Sequence, residues 1–347
     1  MKRLGLGIVG FGGMGGHHRD MLHDHHRIQV LSVCDIRPER LEAGRKFGYK
    51  TYEQYTEMVK DPELDIILIA TPNHIHKEIA VAALESGKHV ICEKPVTLSS
   101  DELSEIMAAA KRTGGLFMVH QNRRWDSDYL TIKKIYDEQQ IGRVFNIESR
   151  VHGSRGIPGD WRHSVAYGGG MMLDWGVHLI DRILMMVGEK VTKVYCQLSY
   201  AWQEESDDGF TLLLTFESGI TALIEVGTLN YQSLPLWYVC GTEGTVTIKD
   251  WSMEGEMVQL VSDEDKDTTP IVAGAGFTKT MAPRGERDIV KHPLPIVNED
   301  VKQFYENFVD AIEGKAEPVI KNDEVMQVMR IMEHAFESSR TGQAIHL

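Results

Sequence analysis

Short apolar runs alternate with longer, charge-rimmed stretches of helical period through the first third of the chain. Leu4 to Val9 is the first run and Ile28 to Cys34 the second. Asp65-Ile66-Ile67-Leu68-Ile69-Ala70, which counts as the fourth strand, is apolar on successive residues after its Asp. A strand of that kind has both faces covered, as in a parallel sheet between two helix layers. His89 to Cys92 and Leu116 to His120 supply the fifth and sixth. Helical stretches separate them. Pro38 to Phe47 begins on Pro and has Gly48 just past its end, and a stretch through Ile79, Ala82, Ala83 and Leu84 stops at Gly87. A third opens on the capping box Ser99/Glu102 and runs to Arg112, with Gly114 as its stop. This rhythm predicts an α/β fold whose residues 1–122 form a doubly wound Rossmann domain.

From Val144 the pattern changes to period two. Val144–Val151, Val194–Trp202, Phe210–Phe216, Ile220–Thr228, Trp237–Cys240 and Thr245–Ile248 read as strands, with hairpin turns at Ser218-Gly219 and Glu243-Gly244. Residues 123–347 are therefore expected to form an α+β domain around a large, mostly antiparallel open sheet. Asp263 to His292 is charged and punctuated by Gly and Pro, which predicts a long loop, and its acidic Asp263, Glu264, Asp265 and Asp267 read as solvated. Two helices, Glu299–Glu313 and Asp323–Ser339, close the chain.

The first strand exits into Gly10-Phe11-Gly12-Gly13-Met14-Gly15, the G-x-G-x-x-G dinucleotide pattern in its required strand-to-helix setting. The first glycine makes the turn, the second admits a pyrophosphate against the backbone, and the third lets the helix pack on the strand. Asp35, about twenty residues on at the end of the second strand, is placed to accept from a ribose 2′-hydroxyl. That favours NAD over NADP, although Arg37 and Arg40 could tolerate a 2′-phosphate.

A chain of 347 residues with 42% hydrophobic content can bury two cores. Its net charge of −14 makes nucleic acid a poor partner. Cys34, Cys92, Cys196 and Cys240 have no C-x-x-C spacing, which predicts reduced thiols and a cytoplasmic enzyme. No run approaches the ~20 apolar residues of a membrane span.

Three strand-end loops carry chemistry: Thr71-Pro72-Asn73-His74-Ile75-His76, Glu93-Lys94-Pro95 and His120-Gln121-Asn122-Arg123-Arg124-Trp125. Ligands of open α/β sheets bind at such ends. Lys94 could donate to a substrate oxygen and favour its alkoxide, whereas an isolated Lys-Pro pair would be a turn lysine. A fourth element runs from Gly168-Gly169-Gly170 through Asp174 to His178. On an α-helix these two share a face with Asp181 and Arg182 beside them, so Asp174 could orient a His178 general base. In isolation the same pattern is the solvent stripe of a half-buried helix.

Together the glycine loop, Thr71-Pro72-Asn73 with His76, Glu93-Lys94-Pro95, and Gly169-Gly170 through Asp174 to His178 resemble the Gfo/Idh/MocA oxidoreductases, the glucose–fructose oxidoreductase and inositol dehydrogenase family. The resemblance spans nearly the whole chain. It implies a nicotinamide cofactor and a polyhydroxylated small-molecule substrate, a sugar, inositol or glycoside, in an assembly of two or four copies. By resemblance, Lys94, His178 and Asp174 are catalytic. Gly10, Gly12, Gly13, Met14, Gly15, Asp35, Arg37, Thr71, Asn73, His76, Glu93 and Lys94 hold the cofactor, with Glu93 near the nicotinamide ribose and the Lys94-Pro95 bond cis. Asn122, Arg123, Trp161 and Arg162 join Lys94, Asp174 and His178 around the substrate, Gly159-Asp160-Trp161-Arg162 resembling the 1,5-anhydrofructose reductase branch. Two other readings stand beside a simple dehydrogenase: a glycoside-processing enzyme using transient oxidation and elimination, and a nucleotide-sensing regulator without chemistry.

His17, His18, His23, His25 and His26 are dense enough to suggest chelation, but no cysteine or paired carboxylate accompanies them, so they read as a solvated segment and no metal is expected. Met171, Met172, Met185 and Met186 read as core filler.

Overall fold

The computed structural model describes residues 3–202, 204–262, 269–298 and 300–347. Six parallel strands form the first sheet: β1 (Leu4–Val9), β2 (Ile28–Cys34), β3 (Lys50–Tyr52), β4 (Ile66–Ile69), β5 (His89–Cys92) and β6 (Phe117–Val119), in the order β3-β2-β1-β4-β5-β6. Helices α1 (Gly13–Leu22), α2 (Pro38–Lys46), α3 (Tyr55–Met58), α4 (His76–Glu85) and α5 (Ser100–Thr113) connect them. Every residue of β4 is inaccessible to solvent, as its uninterrupted apolar run requires. The Ser99 hydroxyl accepts from Glu102 N–H, and Gly114, at φ 73°, ends α5. β3 is short and only half-buried, which is why no hydrophobic run announces it. The order reverses between β1 and β4, so the crevice at their carboxyl ends is the ligand position for such a sheet.

After α6 (Ser127–Asp137) come β7 (Val144–His152), α7 (Val177–Val187), β8 (Val191–Ser199), β9 (Gly209–Phe216), β10 (Thr221–Gly227), β11 (Trp237–Gly241), β12 (Gly244–Ile248), β13 (Gly255–Leu260), the hairpin β14 (Ile271–Ala273) and β15 (Gly276–Thr278), β16 (Ile289–His292), α8 (Gln303–Ile312), α9 (Asn322–Thr341) and β17 (Ile345–His346). The second sheet is ordered β16-β13-β12-β11-β7-β10-β9-β8-β17 and is antiparallel except between β7 and β10. Alternation decides its faces. Ala222, Ile224 and Val226 of β10 are buried, while Tyr195, Leu213, Leu223, Glu148 and Tyr238 form one cross-strand row on the opposite face.

The structure corrects the sequence reading in several places. The strand expected over Val194–Trp202 stops at Ser199, because Trp202 N–H turns to the Asp208 carboxylate at 2.7 Å. β13 was not foreseen, and the segment read as a loop to His292 ends in β16, paired with β13. Asp263, Glu264, Asp265 and Asp267, and the expected helix start at Glu299, lie outside the described residues; α8 begins at Gln303. The carboxyl-terminal helices also return to the first domain. Arg27 reaches Asp310 and Glu313, each at 2.7 Å, and Ser100 N–H donates to Glu333 at 2.7 Å. Among the described residues no helix is long and apolar enough to cross a membrane.

Candidate active site

Gly10 stands at φ +91°, a conformation open to glycine, and a Cβ there would lie 2.5 Å from Ala70 O. A Cβ on Gly15 would meet Gly10 O at 2.1 Å, so α1 packs where only glycine fits. Gly13 has open space around its Cβ position, and Gly12 has only the end of Arg37, 3.8 Å away. The front of the loop is thus an empty cradle at a helix N-terminus with no side-chain cap, with Met14 exposed beside it. Asp35 is fixed over that loop: its carboxylate accepts from Phe11 N–H at 2.9 Å and Arg37 N–H at 3.0 Å. Both features fit a dinucleotide.

The chemistry-bearing loops meet across the cleft. Lys94, at the end of β5 before a cis Pro95, donates to the Asp174 carboxylate at 3.1 Å and to the Asp174 carbonyl at 3.0 Å. Arg162 approaches the other carboxylate oxygen at 3.2 Å and lies 4.7 Å over the Trp161 ring. The glycine run makes this approach possible. A Cβ on Gly169 would sit 2.2 Å from Arg162 O, and one on Gly170 would sit 2.1 Å from an Asp207 oxygen. Burial opposes ionisation of Asp174, but the charges of Lys94 and Arg162 outweigh it and hold the carboxyl below its ordinary range.

The expected pairing of Asp174 with His178 does not form. Met172–Gly176 is a π-helical turn rather than α-helix, and the Asp174 carboxylate goes to Lys94 and Arg162 instead. The solvent-stripe alternative also fails, since His178, Asp181 and Arg182 are all buried. His178 Nδ1 has no hydrogen-bond partner. Burial, then the positive charges of Lys94, Arg123 and Arg182, depress this imidazole well below 6.5, so it is neutral at physiological pH. The Trp175 ring lies 6.0 Å from His178, with the Arg123 guanidinium 4.3 Å over its face. Asn122 Oδ1 and Arg123 Nε are likewise buried without partners.

Three expected cofactor residues have partners within the protein in this structure. His76 is fully buried, with its ring nitrogens 2.9 Å from Thr71 O and 3.1 Å from Pro95 O, so it ties two loops together. Asn73 donates to Gly168 O at 2.8 Å and binds the first domain to the glycine run. Glu93 is buried, with one carboxylate oxygen accepting from both His18 and His120. The solvated reading of the histidine cluster therefore fails for His18 and His25, which are buried, and holds for His17, His23 and His26, which are exposed. Thr71 Oγ1 is buried without a partner.

Asp207 was missed by sequence reasoning. It caps the π turn, accepting from Met172 N–H at 2.7 Å, and burial pushes its carboxyl up to about 6. It lies in no motif, and only the neighbouring Ser206-Asp207-Asp208 run could have drawn notice. Trp251 was also missed; its ring lies 6.1 Å from Trp175.

Residues 4–121 match the family model described as "Oxidoreductase family, NAD-binding Rossmann fold", and residues 129–247 match "GFO/IDH/MocA C-terminal domain". The chain belongs to the Gfo/Idh/MocA oxidoreductases. Among solved structures it is 49% identical to an NAD-binding protein from Listeria innocua, with a TM-score of 0.97 and 100% of each chain covered. Among curated relatives it is 27% identical to the scyllo-inositol 2-dehydrogenase (NADP(+)) of Bacillus subtilis, covering 99% of this chain and 95% of that protein. It is 26% identical to the myo-inositol 2-dehydrogenase of Thermotoga maritima, covering 63% and 67%. This family member is an oxidoreductase whose first domain takes NAD(P), and the cradle at Gly12 and Gly13 is the part of the structure that fits it.

Proposed function

We propose that the protein is a nicotinamide-dependent dehydrogenase or reductase acting on a CH–OH carbon of a sugar, inositol or glycoside. The observation that carries this reading is a buried neutral imidazole, His178, facing the charge of a strand-end lysine ion-paired to Asp174. The inositol dehydrogenases among the relatives support the substrate class. The cofactor, when bound, accepts or returns hydride at nicotinamide C4. In oxidation, neutral His178 takes the hydroxyl proton. The Lys94 ammonium donates to the same oxygen and stabilises it as the proton leaves. Asp174, itself ion-paired to Arg162, fixes the lysine. A regulator that only senses nucleotide needs neither the lysine nor the neutral imidazole.

Turnover of myo-inositol, scyllo-inositol and a panel of aldoses and glycosides with NAD+ and NADP+ tests this reading; tight NADH binding with no turnover of any of them would sink it. The pH profile tests His178. Its lowered pKa keeps the base form populated as pH falls past 6.5, so kcat/KM for oxidation should hold there and drop only at lower pH. An acid limb at or above 6.5 would contradict the burial-and-cation account.

Asp35 sets the expected cofactor preference. A carboxylate held over the loop accepts from ribose hydroxyls and repels a 2′-phosphate, so NADH should bind more tightly than NADPH, and Asp35→Ser should narrow the gap. The ratio of the two dissociation constants decides it, and tighter NADPH binding refutes it.

The half-exposed row Tyr195, Leu213, Leu223 and Tyr238 is the face through which two or four copies should assemble, since no element of the single chain covers it among the described residues. A sedimentation mass of one chain at micromolar concentration would count against this.

A further inference from the structure

Glu93 opens Glu93-Lys94-Pro95, yet its carboxylate is enclosed by residues from three other elements. Its Oε1 accepts from His18 Nε2 of α1 at 2.7 Å and from His120 Nδ1, just past β6, at 2.8 Å. Its Oε2 accepts from the backbone N–H of Lys94 at 3.2 Å. Tyr305 of α8 lies behind His18, with its hydroxyl 2.6 Å from Nδ1. All four side chains are buried, and the two imidazole rings lie 4.6 Å apart.

The proton positions follow. Burial opposes ionisation of Glu93, but the two imidazoles outweigh it and hold the carboxyl well below its usual range. Burial also lowers His18, which is therefore neutral and has one ring proton. The carboxylate can only accept, so that proton is on Nε2, and Nδ1 accepts from the Tyr305 hydroxyl. Each bond in the chain Tyr305–His18–Glu93 then points one way and leaves the carboxylate a single orientation, with Oε2 presented to Lys94 N–H. The three possible ligand atoms of His18, Glu93 and His120 lie within 4.8 Å of one another, and in this arrangement His18 Nε2 spends its proton on the carboxylate. On the other side of the same turn, a His76 ring nitrogen lies 3.1 Å from Pro95 O. The turn is thus held at the Lys94 N–H by Glu93 and packed against His76 at Pro95.

We propose that His18, His120 and Tyr305 are positioning residues for Lys94. Through the Glu93 carboxylate they fix the turn from which the ammonium reaches Asp174. Tyr305 thereby ties the carboxyl-terminal helix α8 to the catalytic loop. The proposal rests on the reading of Lys94 as the group that stabilises the substrate oxygen.

The test pairs Tyr305→Phe and His18→Gln with Arg27→Ala as control, which removes the ion pairs from the residue before β2 to the end of α8 without touching the network. Two readouts are taken. One is acetylation of Lys94 by an N-hydroxysuccinimide ester, measured by mass spectrometry against the exposed Lys190. The other is kcat on myo-inositol and scyllo-inositol, together with the NADH dissociation constant. In both network variants the Lys94/Lys190 labelling ratio should rise severalfold and kcat should fall roughly tenfold, with NADH affinity within about twofold. Arg27→Ala should move neither. An unchanged labelling ratio in folded Tyr305→Phe, or an equal rise in Arg27→Ala, overturns the proposal. Tyr305→Phe removes one oxygen and decides the matter if His18→Gln does not fold. If the wild-type protein oxidises no polyol, the reading of Lys94 falls, while the labelling ratio still judges the network.

Discussion

Lys94→Ala and His178→Ala should each lower kcat by about 10²–10⁴-fold while leaving NADH affinity within about twofold. The lysine ammonium touches both the carboxylate and the carbonyl of Asp174, and a substrate oxygen placed there meets a donor fixed in advance. Electrostatic help of that kind acts when charge develops on the oxygen, so its loss appears in kcat rather than in cofactor binding. His178 contributes the complementary part, a neutral imidazole with an unpartnered nitrogen. Steady-state kinetics and NADH titration separate the two effects. Near-wild-type turnover in either variant would remove that residue from the chemistry. Loss of cofactor binding in both would assign these loops to the nucleotide alone.

Asp128→Ala should cost about 3–5 kcal/mol of stability, the cost of leaving a buried charge without its partner. Arg182, on the helix that carries His178, is 1% exposed and reaches Asp128 at 3.1 Å. The same carboxylate oxygen accepts from the Trp237 indole N–H at 2.7 Å, so one aspartate serves two buried donors. A second carboxylate near Arg182, Asp126, is 3.7 Å away and is already bound by Arg123. Asp128→Asn should cost less, because an amide oxygen can still accept from Trp237. Urea unfolding of the two variants and of Lys133→Ala, which breaks only the exposed pair with Asp137, measures the difference. An Asp128→Ala midpoint equal to that of Lys133→Ala would refute the assignment.

Hydrophobic period carried most of the architecture. β4 is apolar at every position and is buried on both faces, whereas β10 alternates and has one covered face, and each pattern is visible along the chain. The glycine loop was legible for the same reason, since its turn, its close packing and its open cradle are conditions on neighbouring residues. β3, β13 and β16 were not, because they are short or lie toward the sheet's edges, where pairing rather than burial defines them.

The site divides along the same line. The residue types at Lys94, Asp174 and His178 were evident from local motifs, and so was the cis bond that the resemblance implied. Their pairing was not. Helical spacing assigned Asp174 to His178, but a π turn and the approach of a lysine 80 residues away gave it to Lys94. The histidines near the amino terminus looked like surface residues until Glu93, 75 positions on, and Tyr305, 287 positions on, closed around His18. Period, turns and caps depend on neighbours along the chain, so the sequence by itself determined the two sheets, the nucleotide loop and the candidate chemistry. Hydrogen bonds between distant buried groups depend on which strand ends and helices meet in space, so the tertiary structure alone decided what each carboxylate holds.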